Sequence, residues 1–512
     1  MRTLGPRPAV AMGIATAVSR ASGFARTVAL AAVLGVTTVG DAYNTANTVP
    51  NMVFTLVVGG VLTSAVVPIL VEAQSESRGA AGAASALLGA AVVVGVVFSA
   101  VVAIAAPLIV NVLTSGAAGR DGYDAYAAMT TTWLRWFAPQ IGLYAVGVLA
   151  VSIMTAQRRL FLGAAAPILT NLITIAVVAA AAGRGVRGSS SITTADVRLL
   201  GVGTTIAVAV ATAIQLWGAR RVLPGLRPRW NPRHQALNGI GKRASWMLLY
   251  VGVNQIGLMV VVAIATRTPG GVSAYQWAFT VMQLPYALIA VSIMSAAYPT
   301  IAEAARSDSG VGRHVRSTSV AGLRLLVPAA VGLALLAEPI AVVVAGDGGS
   351  RLVAAALVGF ALSLVPFTMF QLLTRVSYAH SDTRSPAGVN VAVNVVNIAA
   401  ALVLVAAVDS PAQSLTALAV AHAASYLVGI VVLGALLVRR GRLATRDLTG
   451  GHARTLTAAA AMGLAVWLLS RLTGEPQERA SAVLLCAGLA AVGAGVYASA
   501  MVAVHAVPGR HT

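Results

Sequence analysis

Charge is scarce in this chain, and cysteine and lysine are nearly absent. Charged residues fill 10% of 512 positions, against about 25% in soluble domains. A water-solvated globular domain is therefore excluded. A single cysteine, Cys486, rules out an internal disulfide framework and reads as a small hydrophobe. The seven histidines are scattered, so no metal-ligand spacing occurs. Only His422 falls mid-helix, where a hydrogen-bonded core histidine is the simpler reading. The string GIGKR at 239–243 lacks the leading glycine of a phosphate-binding loop, so there is no ATPase signature. No nucleophile, base and acid stand together. The expectation is a protein that is not an enzyme and carries no cofactor or metal.

What is present is apolar. Hydrophobic residues make up 58% of the chain, and its mean hydropathy is +0.84. A spanning helix needs about 20 apolar residues. Such runs lie at 9–35, 43–71, 81–113, 127–155, 160–182, 197–219, 239–266, 272–304, 319–345, 352–378, 386–408, 412–438, 455–472 and 481–506. The fold class is thus all-α and polytopic, with about fourteen transmembrane helices. The first run reads as a retained helix rather than a cleaved signal, because Arg20 and Arg26 interrupt its sequel. The net charge of +20 does not point to nucleic acid. Its arginines crowd alternate short loops, as the positive-inside rule expects, which places both termini in the cytoplasm.

A weak repeat divides the chain. Pro68 and Glu72 end the second helix, and Pro299 and Glu303 end the eighth at the same spacing. Pro167 with Asn171 in the fifth matches Pro386 with Asn390 in the eleventh. A six-helix offset preserves orientation, so two parallel six-helix lobes are expected. The divisions are 1–222 for the first lobe, 223–243 for a basic linker, 244–440 for the second lobe and 441–512 for two further helices. The linker's arginines serve either as an orientation signal or as contacts to anionic headgroups.

The candidate chemistry centres on Ser19–Asn51. Arg20 and Arg26 sit in an apolar run, about 120° apart around a helix. Charge at membrane depth is costly and marks a functional cavity. Guanidinium suits phosphate through its planar fork. Snorkelling to one membrane face, or pairing with Asp41 as a brace, are the competing readings. Gly23 between them permits close approach or a bend. Asp41, Asn44, Asn47, Thr48, Asn51 and Thr55 share one arc of the second helix. These groups need water, ligand or partner helices. Pro50 weakens that helix, as Pro285 does the eighth, and Gly59–Gly60 adds a second weak point. Ser363, Thr368, Gln371, Thr374 and Arg375 share one side of the tenth helix. Asn390, Asn394 and Asn397 align on the eleventh, with a shorter signal at Asn254–Gln255 on the seventh. Aligned amides either glue helices or hold a small monovalent cation through their carbonyls. Trp133 and Trp136 read as an interfacial belt.

SRASGFAR at 19–26, Gly35, Asp41, and TVPNMVFTLVVGGVLTSAVVPIL at 48–70 together resemble the opening of the MurJ (MviN) family. The likeness extends through QLPYALIAVSIMSAAYPTIAEA at 283–304. The composition is similar to an actinobacterial branch. The family comprises lipid II flippases of the multidrug/oligosaccharidyl-lipid/polysaccharide exporter superfamily, in the bacterial plasma membrane. The resemblance implies alternating access of two lobes around a cationic cavity. It places pyrophosphate on Arg20 and Arg26, a characteristic acid at Asp41, and the lipid tail against the last two helices. The wider substrate set is Asn44, Asn47, Asn51 and Arg375. Departures occur at Thr27, Ala32, Phe54–Thr55, Gly59, Phe279–Thr280 and Gln283, where the family carries charged residues. Charges of both signs are lost together, as removal of a paired network would require.

The expected function is therefore movement of lipid II to the outer leaflet for cell-wall synthesis, driven by an ion gradient, the membrane potential or product consumption. Other readings are a flippase for another polyprenyl-pyrophosphate glycan, a drug exporter, or a transport-inactive scaffold for cell-wall or division proteins. The expected partners are lipid II, membrane lipids and such proteins, not nucleic acid.

Overall fold

The computed structural model describes residues 6–58, 66–75, 80–157, 159, 161–186, 188, 192–237, 240–307, 309–449, 452–474, 476 and 478–506. These residues form helices and short connections, with no strand among them. Thirteen of the described helices are long and apolar enough to cross a membrane. They correspond to thirteen of the fourteen expected runs. The remaining run, 43–71, is crossed by the undescribed residues 59–65, which include Gly59 and Gly60.

Two compact units are present, Met1–Pro269 and Gly270–Thr512. The first holds α1 (Pro6–Leu34), α2 (Thr38–Leu56), α3 (Val67–Ser75), α4 (Ala80–Ile104), α5 (Ala106–Leu113), α6 (Tyr123–Phe137), α7 (Pro139–Ala156), α8 (Phe161–Gly183), α9 (Thr194–Val222) and α10 (Ile240–Ala265). Within it α1 packs on α8, α8 and α7 on α9, α4 on α7, and α2 on α6. The helix α10 packs on α2 and α5. The boundary between units thus falls one helix after the basic segment.

The second unit holds α11 (Gly271–Pro285), a π-helical turn (Tyr286–Ala290), α12 (Val291–Arg306), α13 (Val311–Leu335), α14 (Ala337–Ala345), α15 (Asp347–Ala379), α16 (Arg384–Ala406), α17 (Pro411–Arg439), α18 (Thr445–Thr449), α19 (Ala453–Thr473) and α20 (Arg479–Ala506). Here α15 and α16 pack on α17, α11 and α13 pack on α15, and α19 pairs with α20 and α13. The pairings of α2 with α6, α4 with α7, and α7 and α8 with α9 thus recur six spans later. The short helices α5 and α14 occupy equivalent places too, each with a proline in its first turn or so, Pro107 and Pro339. Proline lacks the N–H that would continue the preceding ladder, so 81–113 and 319–345 are each two helices rather than one. Pro139 divides 127–155 in the same way.

Both proline-bearing second spans depart from regular α geometry. Pro50 lies buried inside α2, which passes into π geometry at 57–58. Pro285 ends α11 and the five-residue π turn follows it directly. Such inserted turns mark local weakness in a helix. The chain runs unbroken through Gly23, by contrast. A Cβ added there would stand 3.5 Å from Asn171 Nδ2, so this glycine is a packing position against α8.

One aromatic expectation is corrected. Trp133 is fully buried, donates Nε1–H to the Val197 carbonyl at 2.9 Å and meets Tyr43 edge-on at 5.6 Å. It is a core residue joining α2, α6 and α9 rather than a belt residue. Trp136, three positions on, is 40% exposed. Residues three apart lie on neighbouring positions of one helix side, so only packing decides that one ring is covered and the other is not.

Candidate functional site

The first unit has a half-open cavity of about 390 Å³ between α1, α2, α7, α8 and α9, its apolar wall broken by several polar side chains. Arg26 reaches it from α1, Asn51 and Phe54 from α2, Tyr144 from α7, Thr170 and Asn171 from α8, and Thr212 and Gln215 from α9. Each helix contributes one or two polar side chains to a wall otherwise built of Val148, Val151, Val208 and Ala211. The local reasons are readable. Asn171 is held by hydrogen bonds from Nδ2 to Ser22 Oγ at 2.9 Å and to the Ser19 carbonyl at 3.4 Å, which lock α8 to α1 one turn before Arg26. Thr212 donates to the Leu143 carbonyl at 3.2 Å. Gly147 leaves space for Gln215, whose Oε1 would lie 2.4 Å from an added Cβ.

Arg26 is the notable group. It is half-buried, and its Nε is sealed from solvent without a hydrogen-bond partner among the described residues. No ion pair to it is found among those residues either. An enclosed cation with an open donor favours an anion, and the fork shape of guanidinium favours a phosphate or carboxylate. No ion pair between Arg26 and Asp41 is found among the described residues.

The family profile of the lipid II flippase MurJ matches residues 30–485. The chain belongs to the MurJ family. The probable MurJ of Rhizobium meliloti (strain 1021) is 29% identical over 513 residues, covering 95% of this chain and 91% of that protein. The MurJ of Burkholderia cenocepacia is 27% identical over 402 residues, 74% of each chain. Among solved structures, a lipid II flippase MurJ in an inward closed conformation aligns at TM-score 0.78 with 18% identity, over 96% of this chain and 98% of that one. An inward-facing multidrug resistance MATE family transporter of the MOP superfamily aligns at 0.67 with 12% identity, over 83% and 96%. These two similarities show a shared fold.

Within this MurJ-family chain the other expected site residues are dispersed. Arg20 is exposed and outside the cavity. Asp41 and Asn44 are buried at 2% and 7%, Asn47 is half-buried, and Asn51 is exposed toward the cavity. The polar arc of α2 therefore splits. Its first turns pack among helices, where Tyr43 on the adjoining face bonds Thr204 at 2.8 Å, and only its end reaches the cavity. Asn254 is half-buried on α10. In the second unit Arg375 is half-buried, with Nη1 3.4 Å from Ser295 Oγ. Asn390, Asn394 and Asn397 are buried on α16. Asn394 donates Nδ2–H to the Asn390 carbonyl at 2.9 Å, and the Asn397 Oδ1 has no hydrogen-bond partner among the described residues. His422 Nδ1 lies 2.6 Å from Ser363 Oγ inside a group of rings from Phe279, Phe360, Phe367 and Tyr426.

Phe54 and Phe279 stand where the resemblance has charged residues. Phe54 stacks on Tyr144 at 4.8 Å in the cavity wall, and Phe279 lies in the His422 ring group. Tyr144, Thr170, Thr212 and Gln215 were missing from the residues expected at the site. Each is a polar residue on a largely apolar helix, and its place within an apolar run was the available signal.

Proposed function

We infer that this chain moves lipid II from the cytoplasmic to the outer leaflet of the inner membrane, in which it is a multi-pass protein. The observation that carries the reading is Arg26, a half-buried guanidinium whose Nε has no hydrogen-bond partner among the described residues, facing a cavity that several polar side chains share in a chain of the MurJ family. The pyrophosphate of lipid II would supply the anion that Arg26 lacks, through paired charge-assisted hydrogen bonds. Asn51, Thr170, Thr212 and Gln215 would hydrogen-bond the remaining phosphate oxygens and the first sugar. The prenyl tail needs an apolar lodging. A groove of about 660 Å³ lined by Val331, Leu335, Ala361, Leu362, Gly463 and Trp467 joins α13, α15 and α19 and fits that need.

Two six-helix lobes alternate in access on this reading, and the π segments after Pro50 and Pro285 are where the second and eighth spans bend. The amide oxygens of Asn390, Asn394 and Asn397 form the cation candidate that couples the cycle, with Asn254 a weaker one. A membrane potential of about 100 mV would add about 2.3 kcal/mol for each charge moved. Substrate drives the cycle only if it binds one state better than the other.

The test replaces a host's own lipid II flippase with this chain and measures lipid II exposed on the outer leaflet. Restoration is expected. A well-expressed chain that leaves outer-leaflet lipid II at the depleted level would refute the assignment. Repeating the assay with sodium exchanged for choline tests the cation, with a severalfold fall in rate expected.

A further inference from the structure

The basic segment after α9 is built into the first unit, and its construction points to a binding surface. It reads LPGLRPRWNPRHQAL over 223–237. Leu226 and Ala236 anchor its two ends in a core shared with Ala84, Leu87, Leu88 and Met154. Between them the backbone is laid along α4. Arg229 N–H donates to the Ser85 carbonyl at 3.0 Å, and Arg227 N–H lies 3.4 Å from Ser85 Oγ. The approach is so close that a Cβ on Gly89 would stand 2.2 Å from the Arg229 carbonyl oxygen. Pro224, Pro228 and Pro232 restrict φ at every fourth residue, which stiffens the strap. At its far end Ala236 N–H donates to His234 Nδ1 at 3.1 Å.

This anchoring fixes the strap's place. The apolar span of α4 begins at Ala81, so the contacts at Ser85 and Gly89 hold the strap against the first turns of that span, within about 12 Å of its start. There it turns outward Arg227, Arg229, Arg233 and Trp230, the last 55% exposed. Close to them in sequence, Arg220 and Arg221 are exposed at the end of α9, and Arg221 stacks on the exposed Trp217 at 4.1 Å. No acidic residue occurs between Asp196 and Glu303, nor within α4 or α7. Glu72 is carried on α3, which packs on α4 and α7. Arginine and exposed tryptophan held together beside the end of an apolar span are the complement of phosphodiester headgroups.

We propose that the strap Arg227–Arg233, with Arg220 and Arg221, is a binding site for anionic phospholipid headgroups of the surrounding bilayer. It is separate from the cavity of Arg26 and does not depend on what that cavity carries. An orientation signal alone would need arginines in a loop, not a strap clamped by its backbone to the first turns of a spanning helix.

The experiment uses the full chain in nanodiscs of phosphatidylcholine with and without phosphatidylglycerol. The readouts are the lipids retained by the purified protein and its melting temperature, so no flipping assay enters. Each interfacial basic residue contributes about fivefold to attraction toward an anionic surface. Removing three in R227Q/R229Q/R233Q is expected to cut the preference for phosphatidylglycerol by at least about tenfold and to abolish its effect on melting. Melting in phosphatidylcholine alone should be unchanged, and the single variant R229Q serves if the triple variant does not fold. A control, R471Q on α19, should keep the preference. The proposal is overturned if the triple variant retains phosphatidylglycerol like the parent, or if R471Q lowers the preference equally. Stabilisation by inorganic phosphate in phosphatidylcholine discs, equal to that by phosphatidylglycerol, would also overturn it, as would capture of an acidic peptide in preference to the lipid.

Discussion

Replacing Arg26 with alanine separates a functional cation from a structural one, because the two predict opposite effects on stability. A buried arginine that braces helices through an ion pair costs about 3–5 kcal/mol when its partner is left alone. Arg26 has no such partner among the described residues, where its Nε is a sealed, unsatisfied donor. Leaving a polar group in that state costs about 1–3 kcal/mol. Arg26→Ala removes that penalty while deleting some side-chain packing, so the melting temperature should hold or rise. Substrate binding should move the other way. Truncating one member of a hydrogen-bonded charge pair costs about 2–5 kcal/mol, and partial exposure puts Arg26 in the lower part of that range. About 2–3 kcal/mol corresponds to about 30- to 150-fold in apparent affinity for a pyrophosphate lipid. Arg26→Lys keeps the charge without the planar fork and should fall between parent and alanine. The measurements are thermal melting in detergent and binding of a short-chain lipid II analogue, with flipping in vesicles as a third. A fall in melting equivalent to 3 kcal/mol or more, with affinity unchanged, would refute the reasoning and make Arg26 a brace.

Further outcomes follow from neighbouring geometry. Arg20→Ala should lower lipid II binding by less than threefold, about 0.6 kcal/mol, because Arg20 is exposed outside the cavity; the same binding assay checks this. Gly147→Ala should displace the flexible end of Gln215, which an added Cβ would meet at 2.4 Å. Stability should change by under about 1 kcal/mol, while the preference between lipid II and a bare prenyl pyrophosphate shifts in competition binding. Gly89→Ala drives a methyl into the Arg229 backbone, where overpacking costs about 1–3 kcal/mol, and should speed trypsin cleavage at Arg227–Arg233. Asp382, between α15 and α16, receives Ser385 N–H at 3.0 Å and is flanked by Arg442 at 3.1 Å and by Arg440. Burial alone would raise its pKa, but the bonds from Ser385 and the two arginines outweigh burial and hold it below the usual carboxylate value. The stability it supplies is therefore full above about pH 4 and lost as pH falls below that. Asp382→Asn should cost about 1 kcal/mol near neutrality, given the exposure of the arginines, and make melting between about pH 5 and 3 less steep.

The sequence by itself determined the all-helical fold and nearly every span. Hydrocarbon leaves a backbone no hydrogen-bond partner but its own, so a long apolar run has one available structure. Pro285 marked where the eighth span leaves regular geometry, since a missing N–H acts locally, whereas α2 stays helical through Pro50 and turns π only at 57–58. Arg26 was legible for the same kind of reason, as a charge where charge is costly. Tertiary structure alone decided which polar residues share a space. The arc from Asp41 to Thr55 reads as one face, yet its first half is packed and its end opens to the cavity. Arg20 and Arg26 look alike in sequence, yet only one lines that cavity. Trp133 suggested the interface and sits in the core. The amides and hydroxyls that complete the site, on α7, α8 and α9, carry no pattern along the chain. They come together only because distant helices pack side by side, a proximity that periodicity within one helix cannot encode.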